Sequence, residues 1–191
     1  MRLRFALLPT VLLFWAACAA PKIGSPIESD KSLAARQFDL NADGKSDVYE
    51  YGEGKGAAFK ITRREIDLNN DGKIDDIRHY EYKVGDDKGE MTEEEFDLDF
   101  DGRIDLRNFY LAGVVIRQEL DTNYDGKTDT IRYYEKGKLI RREVDRNHRG
   151  KPDYFEYYEN GELDRAGIDR DGDGVVDQWQ KKSTPASAPT Q

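Results

Sequence analysis

Apolar residues recur in this chain at fixed distances from a set of aspartates. One apolar residue stands before each aspartate of the series Asp39, Asp67, Asp97, Asp121, Asp145 and Asp169: Phe38, Ile66, Phe96, Leu120, Val144 and Ile168. Ten residues after the aspartate come Tyr49, Ile77, Arg107, Ile131, Phe155 and Trp179, and two further on come Tyr51, His79, Phe109, Tyr133 and Tyr157. Mainly polar residues alternate with them, as in Asp129-Thr-Ile-Arg-Tyr133. A period of two with abundant aromatic and β-branched residues predicts strands, not helices.

Each unit turns at glycine, as in Glu135-Lys-Gly-Lys138 and Glu159-Asn-Gly-Glu162. Asn160-Gly161 is the favoured pair for a tight hairpin turn in which both residues take positive φ. A second polar-apolar run, such as Leu139–Val144, then leads into the next aspartate. The aspartates are spaced 28, 30, 24, 24 and 24 residues apart, so the unit is 24 residues with early insertions near 52–58 and 84–89. A fixed period of this size marks a repeat architecture. The expected fold is all-β: an antiparallel meander of β-hairpins, about a dozen short strands, with every aspartate loop along one edge. An open twisted sheet, a solenoid and a closed sheet all satisfy the pattern.

The aspartate loops carry the candidate chemistry. Counted from the first aspartate, oxygen side chains fall at positions one, three, five and nine, with glycine at six. Loop one has Asp39, Asn41, Asp43 and Asp47; loop two has Asp67, Asn69, Asp71 and Asp75. Loop three has Asp97, Asp99, Asp101 and Asp105; loop four has Asp121, Asn123, Asp125 and Asp129; loop six has Asp169, Asp171, Asp173 and Asp177. Hard oxygen ligands around a sharp glycine turn suit Ca2+, with the backbone carbonyl of position seven (Lys45, Lys73, Arg103, Lys127, Val175) as a further ligand. Magnesium fits less well, because it prefers a small octahedral shell that retains water. Asp-Gly and Asn-rich runs also form turns without metal, but turn formation alone does not call for a further aspartate at position nine in all six units. In loop five, Arg149 stands at position five, and an empty turn is expected there.

These loops resemble those between strands in FG-GAP and VCBS-type calcium propellers and in thrombospondin type 3 repeats, in which the ninth-position aspartate is a ligand. The resemblance implies calcium binding but not the propeller, whose blades repeat at a longer interval. The hairpins are similar to MORN-type and YD repeats. Position twelve, a bidentate glutamate in an EF-hand, is here Glu50, Arg78, Asn108, Arg132, Glu156 and Gln180. Loop one alone completes the EF-hand pattern with Glu50, and a helix over about residues 29–36 would precede it in that reading.

Arg2 and Arg4, the apolar run from Phe5 to Trp15, and Ala16-Ala17 before Cys18 have the layout of a secretory signal too short to span a bilayer. The small residues before Cys18 resemble the lipobox of bacterial lipoproteins, which implies cleavage after residue 17, lipidation of Cys18 and, with Ala19 following, an outer-membrane destination. An ordinary signal cut near Ala17 or Ala20 is the alternative. The expected organisation is a signal over 1–17, lipidated cysteine and tether over 18–33, the repeat domain over 34–180 and a polar tail over 181–191.

Of the 191 residues, 36% are charged, and the formal charge is −9. Acidic excess argues against nucleic acid and against a polybasic grip on anionic lipid. With one cysteine the chain has no internal disulfide, and bound cations would both neutralise the loops and supplement a thin core. His79 and His148 lie in different repeats without spaced partners, and no phosphate loop or serine–histidine pairing occurs, so an enzyme is not expected. The recurring Tyr133-Tyr134, Tyr157-Tyr158, Phe109-Tyr110 and Tyr80 fit cross-strand packing better than a ligand platform. The expected function is a lipid-anchored, exported calcium-binding repeat protein with a structural or binding role at the bacterial cell envelope, attached to membrane through Cys18, with an envelope protein or glycan as partner. A calcium-responsive adhesin or switch is the alternative.

Overall fold

The computed structural model describes residues 23–27 and 29–181. The signal segment, Cys18 and all of the expected tail except Lys181 lie outside the described residues. Twelve strands follow one another: β1 (Arg36–Phe38), β2 (Val48–Glu53), β3 (Lys60–Ile66), β4 (Asp76–Glu81), β5 (Glu90–Phe96) and β6 (Leu106–Leu111), then β7 (Val114–Leu120), β8 (Thr130–Glu135), β9 (Lys138–Val144), β10 (Tyr154–Glu159), β11 (Glu162–Ile168) and β12 (Gln178–Lys181). They form a single antiparallel sheet in strict sequence order, with β1 and β12 as its two edges. The meander expected from the two-residue period is present, and the sheet is open.

Turn chemistry sets the hairpins. Lys136 and Gly137 have φ of 50° and 76°, and Asn160 and Gly161 have 53° and 84°. Two successive positive φ values match the twist of the flanking strands. The two early insertions fall in the β2–β3 and β4–β5 turns, the first of which contains a 3-10 turn at Gly56–Ala58. All five glycine hairpins shift register at the same point, as between Tyr133 and Tyr134 and between Tyr157 and Tyr158. At the opposite end of the strands, the six aspartate loops stand side by side. The N–H of Asp97 donates to the carbonyl of Asp75 at 2.9 Å, that of Asp121 to Asp105 at 2.8 Å and that of Asp145 to Asp129 at 2.8 Å. Position one of each loop is thus bonded through the backbone to position nine of the loop before it.

Little of the sheet is apolar. Among the described residues, one cluster of buried apolar residues joins Ile23, Tyr49, Ile74, Ile77 and Ile104, with Ile27, Ala34 and Tyr51 against it. Ile74 and Ile104 come from position eight of loops two and three, and Ile23 and Ile27 from the segment expected to be a tether. That segment crosses one face as a strap. The N–H of Gly24 donates to Ile104 at 2.7 Å and that of Ile27 to Gly102 at 2.9 Å. A Cβ on Gly24 would lie 2.1 Å from the Gly126 carbonyl oxygen, so only glycine lets the strap pass that close to loop four. The helix considered before loop one is reduced to a 3-10 turn, Lys31–Leu33, because the strap's apolar residues are spent on the sheet.

The opposite face is a polar zipper. Arg64 donates to Glu50 at 2.6 Å, Arg78 pairs with Glu94 at 3.2 Å, Gln118 donates to Asn108 at 2.9 Å, and Arg132 donates to Gln118 at 2.9 Å. Arg142 pairs with Glu156 at 2.7 Å. Such cross-strand pairs contribute roughly 0.2–1 kcal/mol each and hold the strands in register.

Candidate metal centres

Each loop is wound around its own carboxylates. Oδ2 of position one accepts the glycine N–H of position six, at 2.8 Å from Gly72 to Asp67, 2.6 Å from Gly102 to Asp97, 2.6 Å from Gly126 to Asp121 and 2.8 Å from Gly174 to Asp169. In loop one Gly44 donates to Asp39 at 2.9 Å. The position-three oxygen accepts from position five, as Asp71 N–H to Asn69 at 2.9 Å and Asp43 N–H to Asn41 at 2.9 Å. Position five accepts from position seven, as Lys45 to Asp43 at 2.8 Å, Lys73 to Asp71 at 2.8 Å, Lys127 to Asp125 at 3.0 Å and Val175 to Asp173 at 2.7 Å. Position nine closes the turn: its Oδ2 accepts from position two, as Leu40 to Asp47 at 2.8 Å, Leu68 to Asp75 at 2.7 Å, Leu98 to Asp105 at 2.7 Å and Arg170 to Asp177 at 2.7 Å. Position four takes positive φ in all six loops, at 65° even for Phe100 and 61° for Tyr124.

In loop two these bonds occupy one oxygen of each of two carboxylates, those of Asp67 and Asp75, and leave the other without a partner. Asp67 and Asp75 are 5% and 1% exposed, and the Oδ1 of each is buried with no hydrogen-bond partner. A buried carboxylate oxygen without a partner is costly unless a cation faces it, and the two come from positions one and nine of one loop. Carboxylate oxygens of Asp97, Asp99 and Asp101 lie within 4.8 Å of one another, as do those of Asp121, Asp125 and Asp129, and those of Asp169, Asp171 and Asp177. Burial raises the pKa of Asp75, Asp97 and Asp105, with neighbouring loop aspartates adding to the rise. Asp71 is lowered by the Lys73 N–H. Burial opposes the ionised form of Asp129, but bonds from Thr122 and His148 outweigh it and its pKa is lowered. At Asp169 bonds from the Gly172 and Gly174 N–H groups likewise outweigh desolvation. The donor set in loops two, three, four and six fits a hard divalent cation such as Ca2+.

One feature differs from the sequence reading of ligands. Glu50 lies in β2 on the zipper face, 4% exposed, where it accepts from Arg64 Nε at 3.1 Å and Nη2 at 2.6 Å. The other position-twelve residues, Arg78, Asn108, Arg132, Glu156 and Gln180, occupy the same cross-strand row. Position twelve therefore serves strand pairing here. In loop five the turn survives, with Gly150 donating to Asp145 at 2.6 Å, but Arg146 pairs with Asp153 at 3.3 Å, so a side-chain cation already meets the position-nine carboxylate.

His148, which looks isolated in sequence, is not isolated in space. From position four of loop five its Nδ1 lies 2.9 Å from Oδ1 of Asp129 and 3.0 Å from Nδ2 of Asn123, both in loop four. Asn70 takes the same place relative to Asn41, whose Nδ2 donates to it at 2.9 Å. Position four of one loop thus reaches position three of the loop before. The other histidine, His79, lies with Nε2 3.9 Å from Glu95, beside a cavity of about 430 Å³ under the strap lined by Ile27, Ile77 and Ile104.

Comparison with known proteins bears on the loops. Residues 64–76 and 94–107 match the family model described as EF hand, which takes in loops two and three. No curated protein matches the chain. Among solved structures, similarity is found to accessory secretory protein 1, 2 and 3 of Streptococcus pneumoniae, with 15% identity, TM-score 0.35, and coverage of 55% of this chain and 20% of that one. TarM gives 13% identity, TM-score 0.33, and coverage of 71% and 21%. The glycosylation-associated Gap123 complex of Streptococcus agalactiae gives 12%, 0.32, and coverage of 70% and 21%. The chain spans about a fifth of the length of these solved chains.

Proposed function

We propose that this chain is an exported, lipid-anchored calcium-binding repeat protein with a structural role at the bacterial cell envelope, its open sheet stiffened by ions gripped along one rim. The observation that carries the reading is the pair of inward-facing, partnerless oxygens on Asp67 and Asp75 in a loop that matches the EF-hand model. The acid clusters of loops three, four and six extend it to a series of sites. The family match and the loop geometry support calcium; the layout around Cys18 supports the anchor and the envelope location. The role is structural in this reading because the loop carboxylates are committed to holding turns, and the polar side chains of the zipper face are committed to one another.

Binding to a folded state stabilises it by RT ln(1 + [L]/Kd), about 2.7 kcal/mol for a site with free ligand at 100 times Kd. Open loops of this kind belong with extracellular modules that bind at roughly 10⁻⁴–10⁻³ M and are filled outside the cell. Isothermal titration of the chain with Ca2+ is the test. Several ions bound per chain, with loops two and three among them by NMR shift, is the expected result. Absence of heat and of shifts at millimolar Ca2+ removes the reading.

A further inference from the structure

We propose that the strap is a working part of the third metal centre: Gly24, Ser25 and Ile27 hold the backbone of residues 102–104 in place for the ion, so that strap docking and Ca2+ binding in loop three favour each other. This rests on the calcium reading above, and it sets loop three apart from the other loops of the rim.

The strap bonds to loop three between its ligand positions. Residues 102–104 run from Asp101 at position five to Asp105 at position nine, and the middle one, Arg103, carries the position-seven carbonyl. The strap lies antiparallel to them, with Pro26 opposite Arg103. The Gly24 N–H donates to the Ile104 carbonyl at 2.7 Å, the Ile104 N–H to the Ser25 carbonyl at 3.3 Å, and the Ile27 N–H to the Gly102 carbonyl at 2.9 Å. On its other side the Gly102 N–H donates to Oδ2 of Asp97 at 2.6 Å. Gly102 therefore links the strap to the position-one carboxylate through its own backbone. Packing adds to these bonds, since Ile23 and Ile104 are both buried in one cluster. Among the described residues, loops one, two, four and six have no main-chain bonds from the strap along positions six to eight.

Coupling follows from the shared backbone. Fixing φ and ψ along a loop costs conformational entropy, and an ion that draws on Asp97, Asp99, Asp101 and the Arg103 carbonyl together requires that loop to be fixed. Where the strap already holds residues 102–104, less ordering is left for the binding step, and affinity rises by preorganisation. The linkage is reciprocal: the factor by which a docked strap favours the ion is the factor by which the ion favours docking. Gly24 controls how closely the strap can sit. Its φ is 73°, and a Cβ there would lie 2.1 Å from the Gly126 carbonyl oxygen, so a side chain at this position lifts the strap without touching a loop-three carboxylate. Emptying loop three loosens the strap and uncovers Ile77 and Ile104 beneath it.

The test is a Ca2+ titration of the isotope-labelled full chain, read at the Gly102 amide for loop three and at the Gly174 amide for loop six, in the parent and in Gly24→Ala. The substitution should weaken loop three by about fivefold or more and leave loop six unchanged. In the parent, the Gly24 and Ile27 amides should exchange with solvent more slowly, by a similar factor, once loop three is filled. That slowing should vanish in Asp99→Asn/Asp101→Asn, in which the other loops still fill, an outcome that general stabilisation of the sheet would not give. The exchange measurement needs no change in the strap, so it decides the matter even if Gly24→Ala does not fold. Equal loop-three midpoints in parent and Gly24→Ala, equal weakening of loops three and six, or strap amides indifferent to loop three overturn the coupling and leave the calcium reading standing. Absence of binding at loops two, three and six in the parent removes both.

Discussion

His148 of the fifth loop sets its Nδ1 2.9 Å from Oδ1 of Asp129 in the fourth, on the carboxylate oxygen that the turn leaves free. Oδ2 of Asp129 is already occupied by the Thr122 N–H at 2.9 Å, the Thr122 hydroxyl at 2.8 Å and the Asn123 N–H at 3.1 Å. In loop two the equivalent Asp75 uses Oδ2 in the same way, at 2.7 Å from the Leu68 N–H, but its Oδ1 has no partner. Two loops of one design therefore differ in readiness: the second has a free oxygen, and in the fourth an imidazole competes for it. His148→Ala should raise the Ca2+ affinity of loop four. A hydrogen bond to a charged group is worth about 1.5–3 kcal/mol at most, and exposure of the ring reduces this, so a gain of roughly threefold to tenfold is expected. The Gly126 amide shift in a Ca2+ titration reads it; an unchanged midpoint would show that His148 does not compete.

Asp75→Asn separates the cost of the empty loop from the gain on filling it. Asparagine keeps the acceptor used by Leu68 and removes a charge buried to 1% exposure. Thermal unfolding in chelator should show the variant more stable than the parent, by about 1 kcal/mol, with a smaller rise on adding Ca2+. A variant less stable in chelator and equally responsive to Ca2+ would mean that Asp75 is only a corner.

Proton competition should distinguish the loops. Asp97 and Asp105 have raised pKa values because they are buried, while Asp129 is held low by Thr122 and His148. Only the ionised form binds the cation, and a raised carboxyl protonates first as pH falls. In calcium-free protein these raised groups make folding less favourable as pH climbs through their folded values, because the native state then holds protons that the unfolded chain releases. On acidification loop three should release Ca2+ at a higher pH than loop four. Carboxyl NMR titration with and without Ca2+ gives the order directly; release at one common pH contradicts it.

Position twelve offers a test of a different kind. If Glu50 belonged to loop one, its removal would weaken Ca2+ binding there. Its bonds to Arg64 place it in the zipper, so Glu50→Gln should leave the Gly44 amide response to Ca2+ unchanged. It should cost about 1 kcal/mol of stability, since Arg64 is left partly exposed and can recover water. A weakened loop-one response with stability intact would return Glu50 to the metal.

The repeat was legible because its signals are local. The alternation around Ile131 and Tyr133, the Asn160-Gly161 turn and the oxygen spacing of the loops each fit within a dozen residues, and all fall where expected, with the insertions confined to the outer turns. What was not legible depends on contacts between distant residues. Ile23 and Ile27 lie among prolines, serines and charges without a period; only the meeting with Ile74, Ile77 and Ile104 makes them core. His148 looked isolated because its partner is nineteen residues away in sequence. The signal was available in the stacking, since a 24-residue period places position four of one loop beside the loop before it. Glu50 matched an EF-hand pattern by spacing, yet the strand that begins at Val48 turns its side chain to the zipper face.

Thermal unfolding of the described repeat region in the presence of millimolar Ca2+ and again in excess EGTA addresses the role of the rim most directly. With several sites filled, each contributing on the order of 0.4–1.4 kcal/mol at about 1 mM Ca2+ for Kd values of roughly 10⁻⁴–10⁻³ M, the melting temperature should fall by several degrees or more in EGTA. Far-ultraviolet circular dichroism should lose strand signal as the buried carboxylates of loops two, three and four repel one another. Equal melting temperatures and unchanged spectra in the two conditions would contradict it, and would leave the aspartates as turn formers whose inward oxygens hold nothing.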